Sequence, residues 1–253
     1  GGTVTITTLN MNTNSSANSG TGNASVATLN ISGGTVGITT LSLASTSNVA
    51  ATATSVLSIT GGTLTLDGAV RTFTIADSIN AGDDLTITSV VATANSGSLT
   101  KAGAGTLALL GNNSMTGATL ITAGTLRIEG TNDASAFNLN TSGAALTASG
   151  SSATVGSLTG VTGTTVNLLG TLTVGADGTS PAAFAGTVTG AGKLVKTGAG
   201  TLILSGSSIN YTGTTAVNAG TLSVTGSTGA ALATTGLTVA GGATFNTINT
   251  AAQ

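Results

Sequence analysis

Short stretches in which threonine alternates with an aliphatic residue recur along the whole chain, and many open on a Gly-Thr-Leu or Gly-Thr-Val triplet. The triplet begins at Gly2, Gly34, Gly62, Gly105, Gly124, Gly170, Gly186, Gly200 and Gly220, and Gly242-Ala243-Thr244-Phe245 is a looser copy. Strict alternation puts aliphatics on one face of an extended segment and hydroxyls on the other. Thr3-Val4-Thr5-Ile6-Thr7, Thr63-Leu64-Thr65-Leu66, Thr72-Phe73-Thr74-Ile75, Leu85-Thr86-Ile87-Thr88 and Thr171-Leu172-Thr173-Val174 all read this way. Turn formers separate them, as in Gly82-Asp83-Asp84, Gly111-Asn112-Asn113 and Gly175-Ala176-Asp177-Gly178. Thr, Gly, Ser, Asn and Val fill most of the sequence and are all poor helix formers, so helix is nearly excluded.

Several neighbouring triplets lie about 14 to 30 residues apart, the spacing of solenoid rungs. The fold class expected is all-β: residues 1–253 form one parallel β-helix with short strands, Gly-rich corners and uncapped ends. Each rung stacks on the next at ~4.8 Å, with inward Leu, Val and Ile forming continuous columns. Two or three strands per rung give roughly 8 to 12 rungs. Glycine after a strand turns the corner with φ > 0, and the threonine that follows begins the next strand. The start at Gly1, with neither a Met nor a leader pattern, suggests a processed product or an excised piece. Neither end reads as a cap, which leaves two expectations: a longer solenoid cut at both ends, or identical units stacking head to tail into a filament.

A larger unit also recurs. Residues 99–109, Leu-Thr-Lys-Ala-Gly-Ala-Gly-Thr-Leu-Ala-Leu, align with 194–204, Leu-Val-Lys-Thr-Gly-Ala-Gly-Thr-Leu-Ile-Leu. Met115-Thr116-Gly117 aligns with Tyr211-Thr212-Gly213 after one inserted residue, and Ala123-Gly124-Thr125-Leu126 with Ala219-Gly220-Thr221-Leu222. These residues resemble the autotransporter-associated β-strand repeat, with copies at about 99–128 and 194–224 inside units of approximately 71–130 and 166–226. Arg71-Thr72-Phe73-Thr74-Ile75-Ala76-Asp77 with Leu85-Thr86-Ile87 resembles its lead-in. The resemblance implies a passenger-type parallel β-helix of the bacterial surface or extracellular space, a larger parent protein, and a shared scaffold rather than a shared chemistry.

Charged residues make up 5% of the chain, five basic against seven acidic, and there is no His and no Cys. An imidazole base, a thiolate metal site and a disulfide framework are therefore excluded, and no basic footprint for a nucleic acid exists. No apolar run is long enough for a membrane helix. The acids are Asp67, Asp77, Asp83, Asp84, Glu129, Asp133 and Asp177. Adjacent Asp83 and Asp84 read as turn residues rather than as a carboxylate pair or a calcium site. The basic residues are Arg71, Lys101, Arg127, Lys193 and Lys196; Lys101 and Lys196 occupy equivalent positions and read as corner lysines that deter lateral strand pairing. Ala102-Gly103-Ala104-Gly105 lacks the ending of a phosphate loop and reads as a turn. Met115 and Tyr211 are expected to pack over a corner, and Phe73, Phe137, Phe184 and Phe245 to fill core or end positions. No catalytic, cofactor-binding or metal-ligating residue and no cofactor is assigned. The leading expectation is a non-enzymatic structural rod, self-associating through its terminal rungs or continuing into a longer solenoid. An adhesin presenting loops at 12–22 and 44–55 to a cell-surface glycan is the alternative, and a threonine array that orders ice is the third.

Overall fold

The computed structural model describes residues 3–13, 26–30, 35–45, 56–60, 63–66, 70–77, 82–93, 97–132, 134–226 and 235–247. Among these residues every named element is a β-strand and every strand pairing is parallel. The all-β parallel solenoid expected from the alternation is what forms. Parallel pairing of short strands requires the chain to come round a full circuit before it pairs again, so each circuit stacks on the one before it.

From residue 97 onward the circuit has three sides. The first carries Ser98–Ala102, Thr119–Ile121, Ala136–Leu139 and Ser157–Gly160 in successive turns, passes through a bridge at Phe184, and continues with Thr201–Leu204, Thr221–Val224 and Thr244–Thr247. The second carries Leu85–Ile87, Thr106–Leu109, Thr125–Ile128, Ala145–Ala148, Thr165–Leu168 and Thr187–Gly190, then a bridge to Ile209. The third carries Ala153–Val155, Thr171–Val174, Lys193–Lys196, Thr215–Val217 and Leu237–Val239. Earlier in the chain the sides merge: Thr35–Ser45 pairs with Thr63–Leu66 through its first half and with Val70–Ile75 through its second. The second side is an eight-stranded ladder that reaches back to Val26–Asn30. Eight strands make seven steps, roughly 34 Å of rod at ~4.8 Å per step.

Register fixes the core. Leu85, Leu107, Leu126, Leu146, Val166 and Val188 are successive partners on the second side, as are Ile87, Leu109, Ile128, Ala148 and Leu168. All are buried, and each large one contributes about 1.5–3 kcal/mol. The intervening threonines and asparagines point outward, which is the alternation read from sequence. Phe73, Phe137 and Phe184 belong to this core and Phe245 packs against it. Met115 and Tyr211 are core residues too, rather than covers over a corner: Tyr211 has no exposed surface. The Tyr211 hydroxyl resolves its own burial by bonding to Thr215 Oγ1 at 2.5 Å.

The triplet glycines divide into two kinds. Gly124 and Gly220 have φ of 63° and 65°, as expected of corner residues. Gly105, Gly170, Gly186 and Gly200 lie outside the left-handed set, and proximity is what selects them. A Cβ on Gly200 would sit 1.8 Å from the Thr179 carbonyl oxygen of the preceding turn, and one on Gly170 would sit 2.1 Å from that of Gly150. The corners of consecutive turns nearly touch, and only glycine lets them.

Candidate functional sites at the corners of the solenoid

The charged residues cluster at corners, where the ladder is interrupted and backbone groups lose their strand partners. At the first of these corners the strand Ser98–Ala102 ends and Gly103, with φ of 77°, turns the chain toward Thr106–Leu109. The carbonyls of Ala102 and Gly103 lie at this turn. Lys101 Nζ donates to both, at 3.0 and 2.8 Å, and to the carbonyl of Ala123 in the next turn at 3.1 Å. The same arrangement recurs at Lys196. Its ammonium donates to the carbonyls of Thr197, Gly198 (2.8 Å) and Ala219 (3.3 Å). Neither lysine reaches solvent: Lys101 is 0% and Lys196 1% exposed. They are corner lysines as expected, but being buried they cannot act to deter lateral strand pairing. They lie inside the corner, because three carbonyls converge there and one ammonium supplies three donors. Burial lowers both lysine pKa values, Lys101 to about 8, against the opposing attraction of Asp84 on Lys101 and of Asp177 on Lys196.

Asp83 and Asp84 are turn residues, as read, and their side chains diverge. Asp84 is 1% exposed and its carboxylate accepts the backbone N–H of Thr106 at 2.7 Å, capping the first residue of the next turn's strand. Asp83 turns outward and accepts from Arg127 Nε at 2.8 Å. Arg127 also donates to Glu129 and, at 2.9 Å, to Ser149 Oγ. Arg127 and Asp83 sit in the turns on either side of the one that holds Ala108, the register partner of Arg127, and that outward alanine is fully buried. These contacts with the two carboxylates raise the Arg127 pKa further, the Asp83 hydrogen bond most. The network ties together turns that the sequence could not place side by side, and Ser149 had no signal there at all. Arg71 is buried on Val70–Ile75, Lys193 is exposed, Asp77 is exposed, and Asp177 caps its own turn by accepting from the Thr179 backbone N–H at 3.0 Å. Asp67 and Asp133 lie outside the described residues, as do residues 14–22 and 46–55 of the two candidate adhesive loops.

A third corner carries an uncharged column. Asn113 accepts from Val91 N–H at 2.8 Å and donates to Asn132 Oδ1 at 3.1 Å; Asn132 donates to the Gly130 carbonyl at 3.2 Å. Each amide replaces a backbone pairing that the corner has lost. The Ala102-Gly103-Ala104-Gly105 stretch is the turn expected, and its glycines face the backbone of the preceding turn: a Cβ on Gly103 would meet the Ile75 carbonyl oxygen at 2.2 Å. Among the described residues no group of three or more acidic side chains is placed to hold a metal ion. What the clustered polar groups do chemically is satisfy corner backbone and bind one turn to the next.

The passenger-associated-transport-repeat family matches residues 99–128 and 194–224. These are the two segments that hold the caged lysines. An adhesin autotransporter of Brucella suis biovar 1 (strain 1330), BmaC, is 33% identical over 175 residues, which is 64% of this chain and 5% of that protein. The chain thus spans a small fraction of the length of the relative it matches. No solved structure matches it. The two repeats, the relative and the parallel solenoid together fit an autotransporter-associated β-repeat protein.

Proposed function

We propose that the chain is a non-enzymatic, surface-displayed segment of a bacterial passenger, serving as a rod that holds other parts of its parent away from the cell. The observation that carries this reading is where the buried polar groups go. Lys101, Lys196, Asp84, Asn113 and Asn132 are all spent on backbone groups or neighbouring amides of adjacent turns. Together with the aliphatic columns this builds a ladder whose length is extensible turn by turn. The location rests on the matched repeats and the similarity to an autotransporter. The experiment is rotary-shadowed or negative-stain microscopy of the purified chain, with a parallel screen for turnover of polysaccharides. Straight rods about one solenoid wide and no turnover are the expected outcome; compact particles or a hydrolysed glycan would sink it.

Two finer readings accompany the rod. The similarity to a protein named as an adhesin favours a passenger that also binds a cell-surface glycan or a neighbouring cell. Binding of the purified chain to a glycan array, lost on deleting residues 12–22 or 44–55, would support it. Head-to-tail stacking into a filament is favoured by the parallel ladder itself, since any turn presents strands that another turn can extend. Sedimentation velocity over a hundredfold concentration range distinguishes the two: a single monomeric boundary throughout rules the filament out.

A further inference from the structure

The two caged lysines occupy matching places in the repeat but different places on the solenoid. Lys101 lies on the first side, at the corner leading to the second; Lys196 lies on the third side, at the corner leading to the first. The offset between the copies is therefore not a whole number of turns. Even so, both corners have the same parts. A glycine follows two residues after the lysine, Gly103 at φ 77° and Gly198 at φ 65°. An Ala-Gly pair crosses the corner one turn later, with Gly124 at φ 63° and Gly220 at φ 65°. The ammonium bonds to two carbonyls of its own turn and one of the next. The lysine's own carbonyl also accepts from the next turn, from Thr122 N–H at 2.9 Å in one copy and Asn218 N–H at 2.8 Å in the other. Side identity, neighbouring strands and nearby acids all differ between the copies, and the cage does not.

We infer that each repeat carries a primary-ammonium site built from three corner carbonyls, filled in cis by the repeat's own lysine, and that this site is a clamp between consecutive turns that works at more than one corner of the solenoid. The ligand class follows from the donor count. Three acceptors from a non-planar corner suit a tetrahedral ammonium, whereas a planar guanidinium presents its donors in a fixed fork. A side chain shortened to alanine leaves the three acceptors in place, and a small alkylammonium supplied in solution can fill them.

The test uses the whole chain. In Lys196→Ala, amide exchange at 197–200 and 218–221 is expected to speed up at least tenfold, with residues 140–168 unchanged. Methylammonium or ethylammonium at tens of millimolar is expected to restore much of that protection, and tetramethylammonium, which has no N–H, to restore none. Lys101→Ala is expected to behave the same way at its own corner. Unchanged exchange at the corner, or equal rescue by tetramethylammonium, overturns the proposal. Should either variant fail to fold, the native chain still decides. Timed acetylation read by mass spectrometry is expected to modify Lys193 at least a hundredfold faster than Lys101 and Lys196, and equal rates overturn it.

Discussion

The two repeats hold the same corner by different means, and the differences show which parts the fold requires. In the first copy the N–H of Thr106 is capped by the buried carboxylate of Asp84; in the second the equivalent N–H of Thr201 is capped by the exposed hydroxyl of Ser180 at 2.9 Å. In the first copy Thr119 Oγ1 bonds to Ser135 of the next turn at 2.8 Å; in the second its counterpart Thr215 bonds to Tyr211 within the same turn. The first copy has Arg127 and its acidic partners where the second has Ser223. Capping groups, hydroxyl partners and surface charge are thus interchangeable. The lysine, the left-handed glycines and the inward leucines are not, because each meets a fixed piece of backbone rather than a replaceable side chain.

The largest expected effect comes from the glycines. Gly198→Ala places a Cβ 1.9 Å from the Gly175 carbonyl oxygen at a φ of 65°. A clash with backbone cannot be relieved by rotating a side chain, so a loss of more than about 3 kcal/mol in chemical denaturation is expected. Gly143→Ala separates the two causes. Its φ is 88° and a Cβ there meets nothing within 4 Å, so only the strain of about 1–2 kcal/mol is expected. Equal losses at the two positions would show that crowding between turns is not what selects glycine at the corner.

Next is the pH dependence, where the buried lysines and Tyr211 oppose each other. Burial favours the neutral amine of Lys101, so above its folded value of about 8 the unfolded chain holds the proton more tightly. Stability is therefore lower below pH 8 and rises until the unfolded lysine also titrates near 10.5, by at most about 3 kcal/mol. Asp84, which faces Lys101, works against the shift. Tyr211 in the second copy acts in the other direction. Its buried hydroxyl is pushed up to about 12, so the unfolded chain loses that proton first and stability falls once the pH passes 10. Denaturation midpoints from pH 7 to 11 should show a rise followed by a fall. Lys101→Met should remove much of the rise and Tyr211→Phe the fall.

At neutral pH Tyr211→Phe should cost about 1 kcal/mol through the lost bond to Thr215, while keeping the ring in the core. A neutral result would show that the bond to Thr215 adds nothing net to stability. The smallest effect belongs to Arg127→Ala. Its carboxylate partners are partly exposed, 23% for Asp83 and 39% for Glu129, so less than about 1 kcal/mol is expected, fading as salt is raised. A larger, salt-insensitive loss would point instead to the packing of the arginine stem over Ala108.

The columns of Leu107 and Leu126 are legible in the sequence, because alternation within each strand fixes which residues face inward and the triplet marks where each of these strands starts. The corners were half legible. The matching of Lys101 with Lys196 was visible, and so was the Gly-x-Gly that follows each. Their burial was not, because it depends on the carbonyls of Ala123 and Ala219, which reach the corner only after the chain has completed a turn. The register Ala108↔Arg127 hid the Asp83 contact for the same reason. The glycines were expected to be selected by positive φ; at Gly105, Gly170, Gly186 and Gly200 the neighbouring turn selects them instead.

The sequence by itself determined that this protein is an array of short stacked strands, because the alternating pattern recurs at rung-like spacing and no single copy is large enough to bury its own aliphatic face. Tertiary structure alone decided that the circuit has three sides, that the two repeats begin on different ones, and that the lysines turn inward. Those outcomes depend on how many residues each corner consumes and on which backbone groups then meet across consecutive turns, and neither quantity is carried by the local pattern.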